Sequence, residues 1–227
     1  MIAYVDLEHH RIHDGPNGNE SLAGRLQVKY RLEDLSGEPC LIIRYQHVTP
    51  QLMRDLKIKA VVISGSAATL DYYDEKDLAG LRQMMCEAAQ PTLGFCGGQQ
   101  LMGQTFGAEL APMGPLPPGT LDPYPDWDYG QGMKRERGFR PVRVTAPHPL
   151  FEGLGPTAVM FESHFWEIKS TPPGFKLHAS TNICRVQMFA HESKPLYATQ
   201  FHPERWDDDH TDGRKFLENF FRLAGIR

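Results

Sequence analysis

Three short runs constrain this chain more than anything else in it: IAYVDL (2–7), KAVVISG (59–65) and PTLGF (91–95). Each is apolar at consecutive rather than alternate positions, the pattern of strands buried on both faces. Helical spacing fills the intervals. Residues 20–35 read as a helix, LIIRYQ (41–46) as a further strand, and 74–89 as a helix with Leu78, Leu81, Met84, Met85 and Ala88 at core spacing before Pro91 stops it. PTLGF runs straight into GGQQLMGQTFG, the opening of another helix. Strands alternating with helices in this way predict a mainly parallel sheet covered by helices on both faces.

The second half has a different rhythm. FRPVRVT, TAVMFES, GFKLHAST, CRVQMFAHE and PLYATQF are short strands separated by Pro/Gly turns, and a last helix over 211–223 puts Phe216, Leu217, Phe220 and Phe221 on one apolar face. The sheet is therefore expected to be mixed, in a single domain over 1–227, since 227 residues suit one sizeable core. One segment interrupts it. Residues 112–132 hold six of the 18 prolines and four of the 21 glycines, and are expected to form a long irregular insertion. Tyr124, Trp127 and Tyr129 stand there beside Asp122, Asp126 and Asp128, which suits either a contact surface or lid, or a loop packed on itself.

Charge and cysteine usage exclude several functions. A net charge of −4 argues against a general grip on nucleic acid. No apolar run approaches the ~18 residues of a membrane span, and MIAYVDLEHH lacks a basic-then-apolar leader. A soluble, cytoplasmic protein is expected. Cys40, Cys86, Cys96 and Cys184 form no CxxC pair, so a chemically interesting cysteine is better read as a nucleophile than as half a disulfide.

Cys96 is that candidate. Gly94-Phe95-Cys96-Gly97-Gly98 is a glycine-flanked nucleophile where a strand turns into a helix, and the helix N-terminus favours the thiolate. The Gly97 amide would face an oxyanion formed by Cys96 attack. The competing reading is a buried structural cysteine. Near the other end, Phe201-His202-Pro203-Glu204 places His202 and Glu204 at i, i+2 of an extended segment, on one side of the chain. An imidazole held by a carboxylate is a prepared general base.

Taken together, PTLGFCGGQQ and QFHPE resemble the class I glutamine amidotransferases, whose C-x-G-x-Q pattern is met by Cys96, Gly98 and Gln100. The resemblance implies a flavodoxin-like α/β fold and a Cys96-His202-Glu204 triad. It further implies an oxyanion hole from Gly65, Ser66 and Gly97, and substrate contacts from Gln100, Ser163 and His164. The stretch from FESHFWEIKSTPPGFKLHAST to QFHPE is particularly similar to the glutaminase domain of GMP synthetase. Two departures stand out. Ser66 and Ala67 occupy the places where the family has Gly and Pro, and Phe165-Trp166 is bulkier than the usual residues after Ser-His. An oxyanion hole uses backbone N–H groups, which Ser66 can still supply.

The implied reaction is hydrolysis of the glutamine side-chain amide through a γ-glutamyl thioester. The ammonia would go to a synthetase on another chain, because no length remains for an ATP-using domain. A stand-alone γ-glutamyl amide or peptide hydrolase, and a binding protein with a silent site, are the alternatives. No metal or cofactor is expected. Glu8, His9, His10, His13 and Asp14 are rich in metal ligands, but Gly15-Pro16 follows directly and a solvated loop is the expected state. Ser64-Gly65-Ser66 without a G-x-x-x-x-G-K motif gives no basis for ATP binding. Asp207, Asp208 and Asp209 are expected just before the final helix.

Overall fold

The computed structural model describes residues 1–126 and 129–226. Among these the chain runs through β1 (Ile2–Asp6), α1 (His10–His13), α2 (Gly18–Ser36), β2 (Cys40–Arg44), α3 (Pro50–Asp55), β3 (Val61–Ile63), α4 (Glu75–Glu87), β4 (Thr92–Phe95) and α5 (Gly97–Thr105). It continues through β5 (Leu110–Pro112), β6 (Glu136–Val144), β7 (Thr157–His164), β8 (Trp166–Ile168), β9 (Phe175–Ser180), β10 (Met188–His191) and β11 (Leu196–Thr199), and closes with α6 (Asp212–Leu223).

The apolar runs become the middle of a nine-stranded sheet of order β2-β1-β3-β4-β11-β10-β9-β6-β7. The first five strands are mutually parallel, and every pairing beyond β11 is antiparallel. A strand alternates its side chains between faces, and β1 shows what that does here. Ala3 and Val5 join a core formed with Met53 of α3, Leu78, Leu81, Met84 and Met85 of α4, and Leu101 and Met102 of α5. Ile2 and Tyr4 enter a second core with Leu32 and Leu35 of α2 and the four apolar residues of α6. Both faces of the parallel half are covered, which is why its strands carry no solvent-facing side.

The mixed, mainly parallel α/β sheet is the architecture that the sequence predicts. Three local features lie outside that expectation: α1, α3 and the two-stranded β5-β8 sheet. Two of them concern elements of three or four residues, too short to establish a period, and α3 announces itself only by the Thr49 cap and Pro50 at its start. Asp207 lies in the turn before α6, where its carboxylate accepts from the amides of Asp209 and His210. Among the described residues, no helix is long and apolar enough to cross a membrane.

The insertion is irregular and folds around one cation. The side chain of Arg135 is fully buried and donates to Asp122 Oδ1 (2.5 Å), Tyr124 O (2.6 Å) and Tyr129 O (2.5 Å). Gly130 then lies against the Phe165 ring. Trp127 and Asp128, two of the residues that suggested a contact surface, lie outside the described residues.

Candidate active site

Three neighbouring strands, β3, β4 and β11, end side by side, and the segments leaving them (64–68, 96–98 and 200–204) meet over a cleft of about 210 Å³. Clefts at the carboxyl ends of parallel strands are the usual ligand position in such sheets. Cys96 is the turn residue between β4 and α5. Its φ of 45° and ψ of −103° are strained for a residue with a Cβ, at a cost of roughly 1–3 kcal/mol. The turn is held by Cys96 N–H donating to Thr199 O (2.7 Å) and by Gln100 N–H donating to Cys96 O (2.9 Å). Glycines make the close approach possible. A Cβ on Gly94 would stand 2.7 Å from Gly98 C, and one on Gly98 would stand 2.8 Å from Ile63 O.

His202 faces Cys96 across the cleft floor. Its backbone N–H donates to Phe161 O (2.8 Å), and its Nδ1 pairs with Glu204 Oε1 (2.7 Å). The imidazole and the Cys96 side chain line the same cleft and both border Gly65. Burial by itself would lower the His202 pKa, but the charges of Glu204 and Cys96 reverse this and raise it to about 10. The imidazole–carboxylate pair thus stands in the same cleft as the thiol. A side-chain donor reaches the sulfur: Gln200 Nε2 lies 3.4 Å from Cys96 Sγ. Its orientation follows from its neighbour. The Trp166 carbonyl can only accept, so Gln100 must turn Nε2 toward it (3.3 Å), and the same nitrogen donates to Gln200 Oε1 (3.2 Å). That leaves the Gln200 amide nitrogen for the sulfur. Gln200 was missed in the sequence, yet it shares the i, i+2, i+4 parity of His202 and Glu204.

Ser66 and Gly97 are pressed together at the edge of the cleft. A Cβ on Gly97 would lie 2.9 Å from Ser66 N. Gly65 is equally tight, its Cβ position lying 2.8 Å from His202 Cε1 and 3.4 Å from Cys96 Cβ. The three expected oxyanion residues therefore border the triad. Of the expected substrate residues, Gln100 lines the cleft with its amide committed as above, and Ser163 turns its carbonyl toward Cys96 Sγ (4.0 Å). His164 lines the cleft too, but its side chain is only 2% exposed. The ring points away, with Nδ1 at Trp166 O (3.0 Å) and Nε2 at Glu136 Oε2 (3.1 Å) and Glu162 Oε2 (3.3 Å). Its backbone is what remains for a ligand.

This cluster behind the cleft is buried and charged. Burial pushes the Glu162 carboxyl up to about 7 against the pull of His164. Burial opposes the charged form of His164, but Glu136 and Glu162 outweigh it and hold the imidazole well above its ordinary pKa. Glu136, His164 and Cys184 form the one group of metal-type donors within 4.8 Å among the described residues. Burial and the adjacent Glu136 push the Cys184 thiol well above its usual range, and His164 is already ion-paired, so the set reads as an ion-pair cluster.

The 8–14 segment departs only in part from the solvated loop expected of it: His10, Arg11 and Asp14 are exposed, but its first two residues are buried. Glu8 is 3% exposed and His9 8% exposed. Asp6 and Glu8 are drawn inward by Arg25, which donates Nε to Asp6 Oδ1 (2.8 Å) and Nη2 to Glu8 Oε2 (3.4 Å), while His13 Nε2 pairs with Asp6 Oδ2 (3.0 Å). Arg25, Glu8, Tyr129 and Arg205 all line the cleft and carry no motif of their own.

Comparison with known proteins gives the family. A family model described as glutamine amidotransferase class-I matches residues 28–224. The chain is 33% identical over 192 residues to the glutamine-hydrolyzing GMP synthase of Nitratidesulfovibrio vulgaris (strain DP4), covering 83% of this chain and 32% of that one. It is 30% identical over 182 residues to a single subunit of the glutamine-hydrolyzing GMP synthase of Thermococcus kodakarensis, covering 76% of this chain and 79% of the relative. The chain thus spans about a third of the first relative and about four fifths of the second. In fold it is similar to a crystal structure of a protein assigned as a GMP synthase subunit from Thermoplasma acidophilum. That superposition has a TM-score of 0.72 at 24% identity, over 99% of this chain and 94% of the other.

Proposed function

Because the chain belongs to the class I glutamine amidotransferase family, we propose that Cys96, His202 and Glu204 hydrolyse the side-chain amide of glutamine and release ammonia for a synthetase on another chain. The observation that carries this reading is the placing of Cys96 and His202 in one cleft, with His202 Nδ1 paired to Glu204 Oε1 (2.7 Å). Cys96 Sγ attacks the carboxamide carbon, and the imidazolium of His202 gives its proton to the departing ammonia. His202 then takes a proton from water, which attacks the thioester carbon and returns the free thiol and glutamate. Glu204 holds the ring and offsets its positive charge. The Ser66 and Gly97 amides would receive the oxyanion, each such donor contributing on the order of 3 kcal/mol in related chemistry. Gln100 and the backbone of Ser163 and His164 would seat the amino-acid end of the substrate.

The catalytic unit is the whole chain with its 112–132 insertion, working in the cytoplasm. The N. vulgaris relative extends well beyond the third of it that is matched, and the T. kodakarensis relative is by name one subunit of its enzyme. Both names support a GMP synthase-type acceptor as the first partner to test. Ammonia release from glutamine and labelling by a diazoketone analogue of glutamine are the measurements. The Cys96→Ala variant is expected to lose both, and undiminished labelling of that variant would overturn the assignment. Release that rises several-fold on adding a separately purified ammonia-accepting synthetase supports the two-chain reading. Full activity alone, on γ-glutamyl compounds other than glutamine, points to the stand-alone hydrolase instead.

A further inference from the structure

The Gly65–Ser66 peptide is gripped by its carbonyl. Arg25 Nη2 donates to Gly65 O (3.2 Å), and the Ser64 hydroxyl donates to the same oxygen (2.8 Å). A trans peptide is planar, so its C=O and N–H point in opposite directions. Holding Gly65 O on the Arg25 side therefore turns Ser66 N–H the other way, toward Gly97 and Cys96. The next two amides are gripped as well. Ala67 N–H donates to Glu8 Oε2 (2.9 Å) and Ala68 N–H to Glu8 Oε1 (3.3 Å). The Ser66 hydroxyl adds contacts to Glu8 Oε1 (3.2 Å) and Tyr73 OH (2.6 Å), and Tyr73 is anchored to Leu7 O (2.7 Å). With residues 67 and 68 spent on Glu8, Ser66 N–H is the amide of this loop left facing the sulfur. The residue at 67 is Ala, which does not fix its own φ as a proline would, so the loop's shape comes from its tethers: the internal Ser66 Oγ to Ala68 O bond (2.7 Å) and the grips of Arg25 and Glu8.

We infer that Arg25 and Glu8 are positioning residues that set the direction of the Ser66 N–H as an oxyanion donor: Arg25 through the Gly65 carbonyl, Glu8 through the amides of Ala67 and Ala68. The inference rests on the proposed thioester chemistry. It assigns to the acidic and basic residues of the N-terminal segment a role in turnover rather than in metal binding. Neither side chain touches the sulfur, so the thiolate itself does not depend on them.

The test separates nucleophile from oxyanion hole. In a Cys86→Ser background, needed because Cys86 is an exposed free thiol, Arg25→Met and Glu8→Gln are compared with the otherwise wild-type protein for kcat and KM on glutamine, normalised to Cys96 sites titrated by iodoacetamide, and for the iodoacetamide rate constant at Cys96 itself. Alkylation needs the thiolate but no oxyanion donor. Per titrated site, kcat is expected to fall about 100-fold for Arg25→Met and about 10-fold for Glu8→Gln. KM should stay within about threefold and the alkylation rate within about twofold. Arg25→Lys, which can still reach one carbonyl, is expected to recover part of the loss. With the folded fraction matched by circular dichroism, per-site kcat values equal to the parent protein in both variants would overturn the inference. So would a parallel loss of alkylation rate. A wild-type protein that alkylates at Cys96 but does not hydrolyse glutamine would instead overturn the reading on which the inference stands.

Discussion

Two backbone turns meet at the sulfur of Cys96, and they are held by different physics. The 94–98 turn is built from within. Its strained Cys96 is enforced by glycines whose missing side chains let β4, α5 and β3 touch, with one long-range tether from Cys96 N–H to Thr199 O. The 64–68 loop is built from outside, by Arg25 reaching across 40 residues and Glu8 across 59. Each turn supplies one of the backbone amides proposed to receive the oxyanion. A sterically locked turn cannot change without disturbing the core, whereas a tethered loop can be misplaced while the core stands. Substitutions in the two turns should therefore fail in different ways.

The largest effect is expected in the self-built turn. Gly98→Ala places a methyl 2.8 Å from Ile63 O and 3.1 Å from Ile63 Cβ, both on a central buried strand that has nowhere to move. A loss of about 3 kcal/mol or more is expected, read as a shift in the urea midpoint at unchanged slope. A near-wild-type midpoint would break the contrast. Gly65→Ala is the matched change in the tethered loop. Gly65 does not have a positive φ, so alanine is allowed there, and the atom its methyl meets at 2.8 Å is the movable His202 ring. Stability should change little while glutamine hydrolysis falls about 100-fold, the cost of displacing a reacting group by an ångström or so. Comparable stability losses in both variants would show the two turns to be alike.

The same contrast explains what could be read in the sequence. The elbow was legible because its constraint is local: an apolar strand, a glycine-flanked cysteine and a helix opening lie in one short window. His202 and Glu204 were legible because parity along an extended segment sets their shared side. The roles of Glu8 and Arg25 were not, because nothing near either residue says that they converge on Gly65 and Ala67. The glycine and proline after His13 pointed to an open loop, and only the packing of α2 buries that segment. His164 is the intermediate case. Its place in the Ser-His pair marks the cleft wall, but the outward or inward turn of its ring depends on Glu136, 28 residues away. Trp127, singled out beside the acidic residues of the insertion, falls outside the described residues.

The last prediction concerns the side chain between the two turns, and its effect near neutral pH is the smallest. The folded protein raises the His202 pKa to about 10, against about 6.5 in an unfolded chain. A histidine that binds its proton more tightly when folded contributes its stabilisation in full below about 6.5, and loses it as pH rises through about 10. Over that window one proton contributes a slope of up to about 1.4 kcal/mol per pH unit, so half a unit near neutrality moves stability by less than about 0.7 kcal/mol. Wild type should therefore lose stability from pH 7 to pH 10 more steeply than His202→Asn, measured by urea denaturation at matched ionic strength. The amide of asparagine keeps a donor for Glu204 but carries no titrating proton. If the two curves run parallel, the imidazole is not held as a cation by Glu204 and Cys96. The connection between the two turns would then be a packing contact rather than an electrostatic one.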